Sequence, residues 1–533
     1  MHIQGGKVEE KIVKIYAPPK SAFIGGMDIE VARLKEEIKL LYKSDTIPWV
    51  VGYSGGKDST ASLQIIWTAV SELAEAERTK PIYVISTDTL VENPVVSMWV
   101  GFSLDEMRIQ AAQQKMPIIP QKLTPAIEDS FWVNLIGKGY PAPRPQFRWC
   151  TERLKIKPSN KFILDVVDKN NEVILVLGTR KAESGPRKKS IELREGSTRD
   201  LLSRNANPKL DRVWIYPPIV NWSNDDVWEY LVSYPNPWGY DNSELLTMYR
   251  GATIDNECPL VVDTSTPSCG DSRFGCFVCT LVDKDKSMEA MIKNIEEKKW
   301  MTPLSEYRNT YLEITDDFKK RDFRRMSGRL TLMTDKFTGK KKLVHGPYLQ
   351  SYRRVLLLEL LKAQEQVRSS GVKGTEKFEL IRDDEIEEIR RIWVKEKNEI
   401  EDLVPEIFKE ATGKDYDKGP IDEGYLFKKD DIELLKTVAA DDGSIDNLHY
   451  QLTRDLLNIE KSYSAASRRT GIYENLEKAL IKGGFEDEED ALRFAMEHSE
   501  RQEDIDNETS KIINTSGLYE IVEMSDDTDE APL

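Results

Sequence analysis

Cysteine and histidine are scarce in this chain, with five and four respectively in 533 residues. An odd handful of thiols does not make a disulfide framework, so the cysteines are expected to serve chemistry or metal binding in a reducing compartment. Long apolar runs are missing as well. No stretch approaches the roughly 18 residues that cross a bilayer, and the opening MHIQGGKVEEK lacks the apolar core of a signal peptide. These absences predict a cytoplasmic protein with no membrane partner. Positive charge is in deficit, at a net −16, which on its face argues against nucleic acid. The deficit is local, however. Residues 484–533 carry 17 acidic against 3 basic side chains, or −14 of the total, and read as a solvated, flexible tail. The remainder is near neutral and holds basic clusters at Arg187-Lys188-Lys189, Lys319-Lys320-Arg321, Arg324-Arg325, Lys340-Lys341-Lys342 and Arg353-Arg354, where phosphate contacts are conceivable.

What is present suits a globular chain of roughly two to four domains. Residues 28–43 carry apolar side chains at helical spacing, predicting a packing helix. IPWVVGYS (47–54) is a short β-branched run that stops at two glycines, and DSTASLQIIWTAVSEL continues with helical periodicity. PIYVIST (81–87) and EVILVLGT (172–179) are similar continuous runs, as expected of strands buried on both faces. The fold class expected is α/β, a doubly wound parallel sheet, with a cysteine-rich extension and a helical C-terminal region. The boundaries are 1–45 for an N-terminal helical segment and 46–239 for the nucleotide-binding domain. A cysteine-rich region of little regular signal follows at 240–345, then helices at 346–483 and the acidic tail at 484–533.

The segment Ser54-Gly55-Gly56-Lys57-Asp58-Ser59-Thr60 lies between the first strand and its helix, where backbone N–H groups and the helix dipole point at an anion. Glycines let phosphate oxygens approach the amides, while Lys57 and the hydroxyls of Ser54, Ser59 and Thr60 add donors. Asp58 beside phosphate fits a bound Mg²⁺ or a helix cap. A Walker loop would need glycine at 51 and Ser or Thr at 58, and the sequence has Val51 and Asp58. The segment instead resembles the SGGxDS pyrophosphate loop of the ATP pyrophosphatases, which implies ATP with Mg and release of pyrophosphate.

Three further segments narrow the resemblance. Asp88-Thr89 follows the second strand, at the edge where open α/β sheets bind ligands. Gly178-Thr179-Arg180-Lys181-Ala182-Glu183-Ser184, then Arg187, is close to the GxRxxES…R stretch of phosphoadenylylsulfate (PAPS) reductases, and YPPIVNWSNDDVWEYL (216–231) resembles their P-x-x-x-W-x-x-x-D-V-W-x-Y element. A PAPS-reductase-like domain is the result. Asp88, Gly178 and Arg180 then join the nucleotide-binding set, and Arg180, Glu183 and Arg187 are expected to hold phosphate or the acceptor.

Cys258, Cys269, Cys276 and Cys279 are spaced C-x10-C-x6-C-x2-C among glycines and prolines. Four thiolates suit zinc or a [4Fe-4S] cluster, and because only one pair forms a C-x-x-C knuckle the cluster is favoured over zinc. Cys150 stands apart in PRPQFRWCTERLKIKP, flanked by Arg144, Arg148 and Arg153. Positive neighbours stabilise a thiolate, so a catalytic cysteine that carries or resolves a persulfide is expected beside Lys57 and Asp58; a buried thiol or a cluster ligand is the alternative.

Together SGGKDST, STDTLVEN, RWCTERLKIKP, GTRKAESGPRKK, PPIVNWSNDDVW and the four-cysteine spacing resemble the DndC family of DNA phosphorothioation proteins over about residues 47–360. That resemblance implies an ATP pyrophosphatase with a [4Fe-4S] cluster, partnered by DNA, a cysteine desulfurase, DndD and DndE, that replaces a non-bridging DNA phosphate oxygen with sulfur. A tRNA thiolase or a PAPS reductase would use the same chemistry. A non-catalytic iron-sulfur subunit that binds DNA or senses redox state is the rival of another class, and an intact Lys57 and Asp58 speak against it.

Overall fold

The computed structural model describes residues 21–516 except 146, 184–187, 190–191, 193–197, 200, 206, 253–273, 313–316, 336–337, 420, 422–428, 441–443 and 465–469. Arg187, Cys258 and Cys269 lie outside the described residues.

The chain opens with helix α1 (Met27–Lys43) and enters strand β1 (Trp49–Gly52), whose side chains alternate between the two faces of the sheet. Trp49 and Val51 enter the core on one face and Val50 the core on the other. Helix α2 (Lys57–Ser71), strand β2 (Ile82–Thr87), helix α3 (Pro94–Gln113) and strand β3 (Ile118–Leu123) follow. Helix α4 (Lys157–Asn170) leads into strand β4 (Val173–Val176). Strands β5 (Thr198–Arg199), β6 (Leu202–Arg204) and β7 (Val213–Tyr216) complete a seven-stranded sheet in the order β3-β2-β1-β4-β7-β6-β5. Strands β1, β2, β3, β4 and β7 pair in parallel, and β5 and β6 add an antiparallel edge. Chain order reverses between β1 and β4, so the loops after these two strands flank the crevice where doubly wound sheets take ligands.

One face of the sheet packs on α1, α2 and helix α5 (Asn224–Ser233), burying Leu34, Ile38, Ile65, Trp67 and Trp228. Each aliphatic side chain removed from water there contributes about 1.5–3 kcal/mol. The other face packs on α4 through Ile163, Val166 and Val167. Both covered faces account for the continuous apolar strands.

Between 240 and 345, where little regular structure is expected, there are helices α6 (Asn242–Gly251), α7 (Lys286–Asn294) and α8 (Thr302–Tyr311). A hairpin of β8 (Leu332–Thr334) and β9 (Lys341–Leu343) follows. Polar caps start the first two of these helices: Asp241 accepts from the Ser243 amide and Asp285 from the Met288 amide. A second core joins this region to helix α9 (Gln350–Arg368) and helix α10 (Asp383–Arg391), and it takes in Trp132, Leu135 and Trp149 from the nucleotide-binding domain. Buried indoles tie it together, with Trp132 donating to the Leu380 carbonyl at 2.7 Å and Trp393 to the Ile136 carbonyl at 3.0 Å. The cysteine-rich and helical regions therefore share one core. Helices α11 (Val404–Thr412), α12 (Lys429–Ala439), α13 (Leu448–Ser464) and α14 (Ile472–Gly483) continue the C-terminal region.

Within the acidic tail Glu488–Ser516 is helix α15, and residues 517–533 lie outside the described residues. Phe485, Ala491 and Ala495 form a small core with Leu343 of the hairpin, so its first turns gain tertiary packing that composition alone does not report. No helix among the described residues is long and apolar enough to cross a membrane.

Candidate nucleotide and thiol site

The strand-turn-helix expected at 54–60 is formed, with α2 starting at Lys57 and Gly56 as its N-cap residue. Gly55 has φ +71, and a Cβ there would lie 2.5 Å from Val100 Cγ2, so both backbone angle and space require glycine. Ser59 Oγ donates to the Gly56 carbonyl at 3.0 Å and accepts from the Ser54 amide at 3.2 Å, which braces the turn. Thr60 is buried, and its amide begins the helical ladder on the Gly56 carbonyl at 3.0 Å.

Asp58 is held from two sides. Arg180 Nε donates to Asp58 Oδ1 at 2.7 Å, and Lys57 Nζ lies 3.2 Å from Asp58 Oδ2. The Arg180 side chain is 3 % exposed and also donates to the Trp222 carbonyl at 3.3 Å, so it positions Asp58 from behind the loop; it does not present a free guanidinium to phosphate. Glu183 accepts from the Arg180 amide at 3.4 Å. Gly178 brings the β4 loop against the phosphate loop: a Cβ there would sit 2.7 Å from the Asp58 carbonyl oxygen. Sequence distance of some 120 residues thus closes at the crevice between β1 and β4. Asp88 lies at the end of β2, where Lys122 is 2.7 Å from its Oδ2 and the Leu90 amide donates to its Oδ1 at 2.8 Å.

Two residues that sequence reading missed complete the surroundings of the thiols. Glu92 forms an antiparallel bridge with Cys276, and Thr89 Oγ1 is 3.3 Å from Cys276 Sγ and donates to Glu92 Oε1 at 3.0 Å. Lys155 Nζ is 3.5 Å from the same carboxylate oxygen and is electrostatically coupled to Cys276 and Cys150. The C-x-x-C turn is formed, the Cys279 amide donating to the Cys276 carbonyl at 3.0 Å. Cys150 and Cys276 pack against the same core, and the Cys276–Cys279 turn lies beside Glu92, beyond the end of β2. The sequence signal for Lys155 was its place five residues after Cys150.

The expectation of a thiolate stabilised by arginines at Cys150 is corrected. Burial pushes the Cys150 thiol up, opposed by a hydrogen bond with Thr151, and charge on Cys279 adds to the rise. Arg153 is engaged with Asp129 at 3.3 Å and Tyr140 at 3.0 Å. Burial, then the Glu92 charge, pushes Cys276 up to about 12. Buried thiols of this kind shed their protons to a metal or a strong local cation, not to water. Among the described residues no three His, Cys, Asp or Glu side chains converge closely enough to hold a metal ion. Cys276 and Cys279 are free thiols, and Cys258 and Cys269, the other two cysteines of the expected ligand set, lie outside the described residues.

With this geometry in place, one family model matches part of the chain. Residues 48–237 match the phosphoadenosine phosphosulfate reductase domain. The reductase-type domain spans β1 to α5 and includes the phosphate loop, Asp88, Cys150, Gly178 and Arg180, while Cys276 and Cys279 lie beyond it. An uncharacterized protein of Methanocaldococcus jannaschii is 25% identical over 272 residues, which take in 51% of this chain and 44% of that protein's length. The match therefore spans less than half of that relative. Among solved structures, PAPS reductase from Candida auris aligns at 16% identity and a TM-score of 0.25, over 42% of this chain and 91% of that one. FMN adenylyltransferase from Candida glabrata, with FAD and inorganic pyrophosphate, aligns at 12% identity and a TM-score of 0.26, over 48% and 74% respectively.

Proposed function

We propose that this chain cleaves ATP to AMP and pyrophosphate to activate a phosphodiester oxygen of DNA, and then helps deliver sulfur to that phosphorus. The observation that carries the reading is the shared address of the two chemistries: the phosphate loop follows β1, and the Cys276–Cys279 turn is bridged to Glu92 beyond the end of β2, the parallel neighbour of β1. The reductase-type domain match supports nucleotide and sulfur chemistry. DNA as the acceptor rests on the resemblance of the six motifs to the DndC family.

A phosphodiester oxygen is a very poor leaving group. Attack by that oxygen on the α-phosphorus of ATP releases pyrophosphate and places AMP on the acceptor, after which sulfur displaces AMP. Lys57 and the amides at the start of α2 neutralise the departing pyrophosphate, which forms in a site already aligned for it. Asp58, held in place by Arg180, or Asp88 would hold Mg²⁺, which would supply positive charge to the phosphates. The terminal sulfur of a Cys150 persulfide acts as the nucleophile and displaces AMP, after which an exogenous thiol attacks Cys150 Sγ, forming a mixed disulfide as the S–S bond to the transferred sulfur breaks. Cys258, Cys269, Cys276 and Cys279 would hold a [4Fe-4S] cluster, which would supply electrons when bound. A cysteine desulfurase would supply the sulfur to Cys150, with DndD and DndE as companion proteins.

The test is product analysis on anaerobically purified protein. AMP and pyrophosphate formed without ADP, stimulated by duplex DNA and not by tRNA, and lost in Lys57→Ala, are expected. ADP and phosphate would overturn the pyrophosphatase reading, and stimulation by tRNA alone would make the chain a tRNA thiolase. Iron and acid-labile sulfide near four of each per chain test the cluster separately.

A further inference from the structure

The phosphate loop has a neighbour that no sequence motif singled out. Tyr249, on α6 and outside the reductase-type domain match, places its hydroxyl 3.4 Å from the Lys57 amide nitrogen, which donates to it. That amide is one of the helix-start donors with no intrahelical partner, the kind that binds phosphate. The hydroxyl also lies 3.3 Å from where a Cβ on Gly56 would stand, so it closes over the turn itself. A phosphate seated on the Lys57 amide and the Tyr249 oxygen cannot both be its acceptor.

The ring has one direction in which to yield. Tyr249 is 8 % exposed and lies edge-on between Trp228, at 5.1 Å, and Phe274, at 4.8 Å. Trp228 is fully buried in the first core, whereas Phe274 is only partly buried and packs against both cores. Phe274 in turn begins the short segment that carries the thiols. The Gly275 carbonyl accepts from the Asn93 amide at 3.2 Å, Cys276 bridges Glu92, and the Phe277 amide donates to the Val91 carbonyl at 3.0 Å.

We propose that Tyr249 is a positioning residue that couples the two halves of the site. Its hydroxyl holds the Lys57 amide until phosphate takes that donor, and the displaced ring then shifts Phe274 and with it the Cys276–Cys279 turn. The thiol segment is thereby set differently when nucleotide is bound than when the loop is empty. The inference rests on the nucleotide reading of the loop and needs neither a DNA acceptor nor a metal centre.

Hydrogen exchange of the full chain tests it, with the α,β-methylene analogue of ATP and Mg²⁺ as the probe and calorimetry to measure binding. In the unmodified protein the probe is expected to change exchange at the Phe277 and Cys279 amides by about tenfold, the factor that about 1.4 kcal/mol of local opening corresponds to. Tyr249→Phe keeps the ring and removes the competing oxygen, so it is expected to bind the probe as tightly or up to severalfold more tightly while the exchange change is lost. A Tyr249→Phe protein that binds the probe and still transmits the full change would overturn the coupling and leave the nucleotide reading intact. Probe binding to the unmodified protein without any change at those amides would do the same. If the unmodified protein does not bind the probe at all, the nucleotide reading and the coupling fall together.

Discussion

At Arg180 the sequence motif and the geometry point to different tasks. Its motif position suggests a phosphate ligand, yet its guanidinium is buried against Asp58 and the Trp222 carbonyl. Removing it leaves a carboxylate beside the phosphate loop with Lys57 as its remaining partner, and a buried carbonyl without a donor. Arg180→Ala is expected to lower stability by about 2–3 kcal/mol, the cost of stranding charged hydrogen-bond partners. AMP formation should fall by at least tenfold through kcat, because Asp58 no longer holds its position. Arg180→Lys keeps the charge but loses the fork that spans both acceptors, and should recover part of the stability and little of the rate. Denaturant midpoints and steady-state product formation read the two effects separately; an unchanged rate in Arg180→Ala would show that Asp58 is held by Lys57 alone.

At the level of elements, the meeting of the β1 and β4 loops decides whether the crevice exists. A Cβ at Gly178 would lie 2.7 Å from the Asp58 carbonyl oxygen and 3.0 Å from the Ser59 amide nitrogen, both backbone atoms with little freedom to move. Gly178→Ala is therefore expected to push the loops apart, costing about 1–3 kcal/mol as overpacking does, and to weaken ATP binding by tenfold or more. Gly101→Ala, on α3 with nothing within 4 Å of the new methyl, should be neutral or stabilising by up to about 1 kcal/mol. Equal ATP affinity in both variants would remove Gly178 from the site. The same elements explain what sequence could reveal. Strands β1, β2 and β4 were legible because burial on both faces makes them continuous apolar runs, and the phosphate loop was legible because its geometry needs fixed residue types. β3, with Gln121 and Lys122 inside it, and the short edge strands β5 and β6 carry no such run. Helices α6, α7 and α8 were hidden because each is only nine or ten residues long and is set by caps and tertiary packing. Glu92, Lys155 and Tyr249 were hidden because their roles arise from distant chain segments meeting.

For the whole molecule, the acidic helix α15 sets two effects against each other. It packs Phe485, Ala491 and Ala495 on a two-stranded hairpin of three-residue strands, which would be marginal without such cover. His345 Nε2 lies 3.2 Å from Glu488 Oε1, and Lys341 Nζ donates to Ser499 Oγ at 3.5 Å, so the hairpin is also tied to the helix by polar contacts. The chain from 484 onward supplies most of the net −16 and repels any polyanion approaching the otherwise near-neutral body. The two roles are separable because the packing residues precede most of the charge. Residues 500–533 hold 11 acidic and 2 basic side chains, so deleting them changes the net charge from −16 to −7 while leaving Phe485 to Ser499 in place. That deletion is expected to leave proteolytic protection of the hairpin unchanged and to raise affinity for duplex DNA at low salt, with the gain fading as salt screens the charge. Leu343→Asp should do the reverse, opening the hairpin to proteolysis without a gain in DNA affinity, since it buries a charge in the small core and leaves the tail intact. A deletion that weakened DNA binding at every salt concentration would show instead that the acidic helix supports the binding surface more than it repels the duplex.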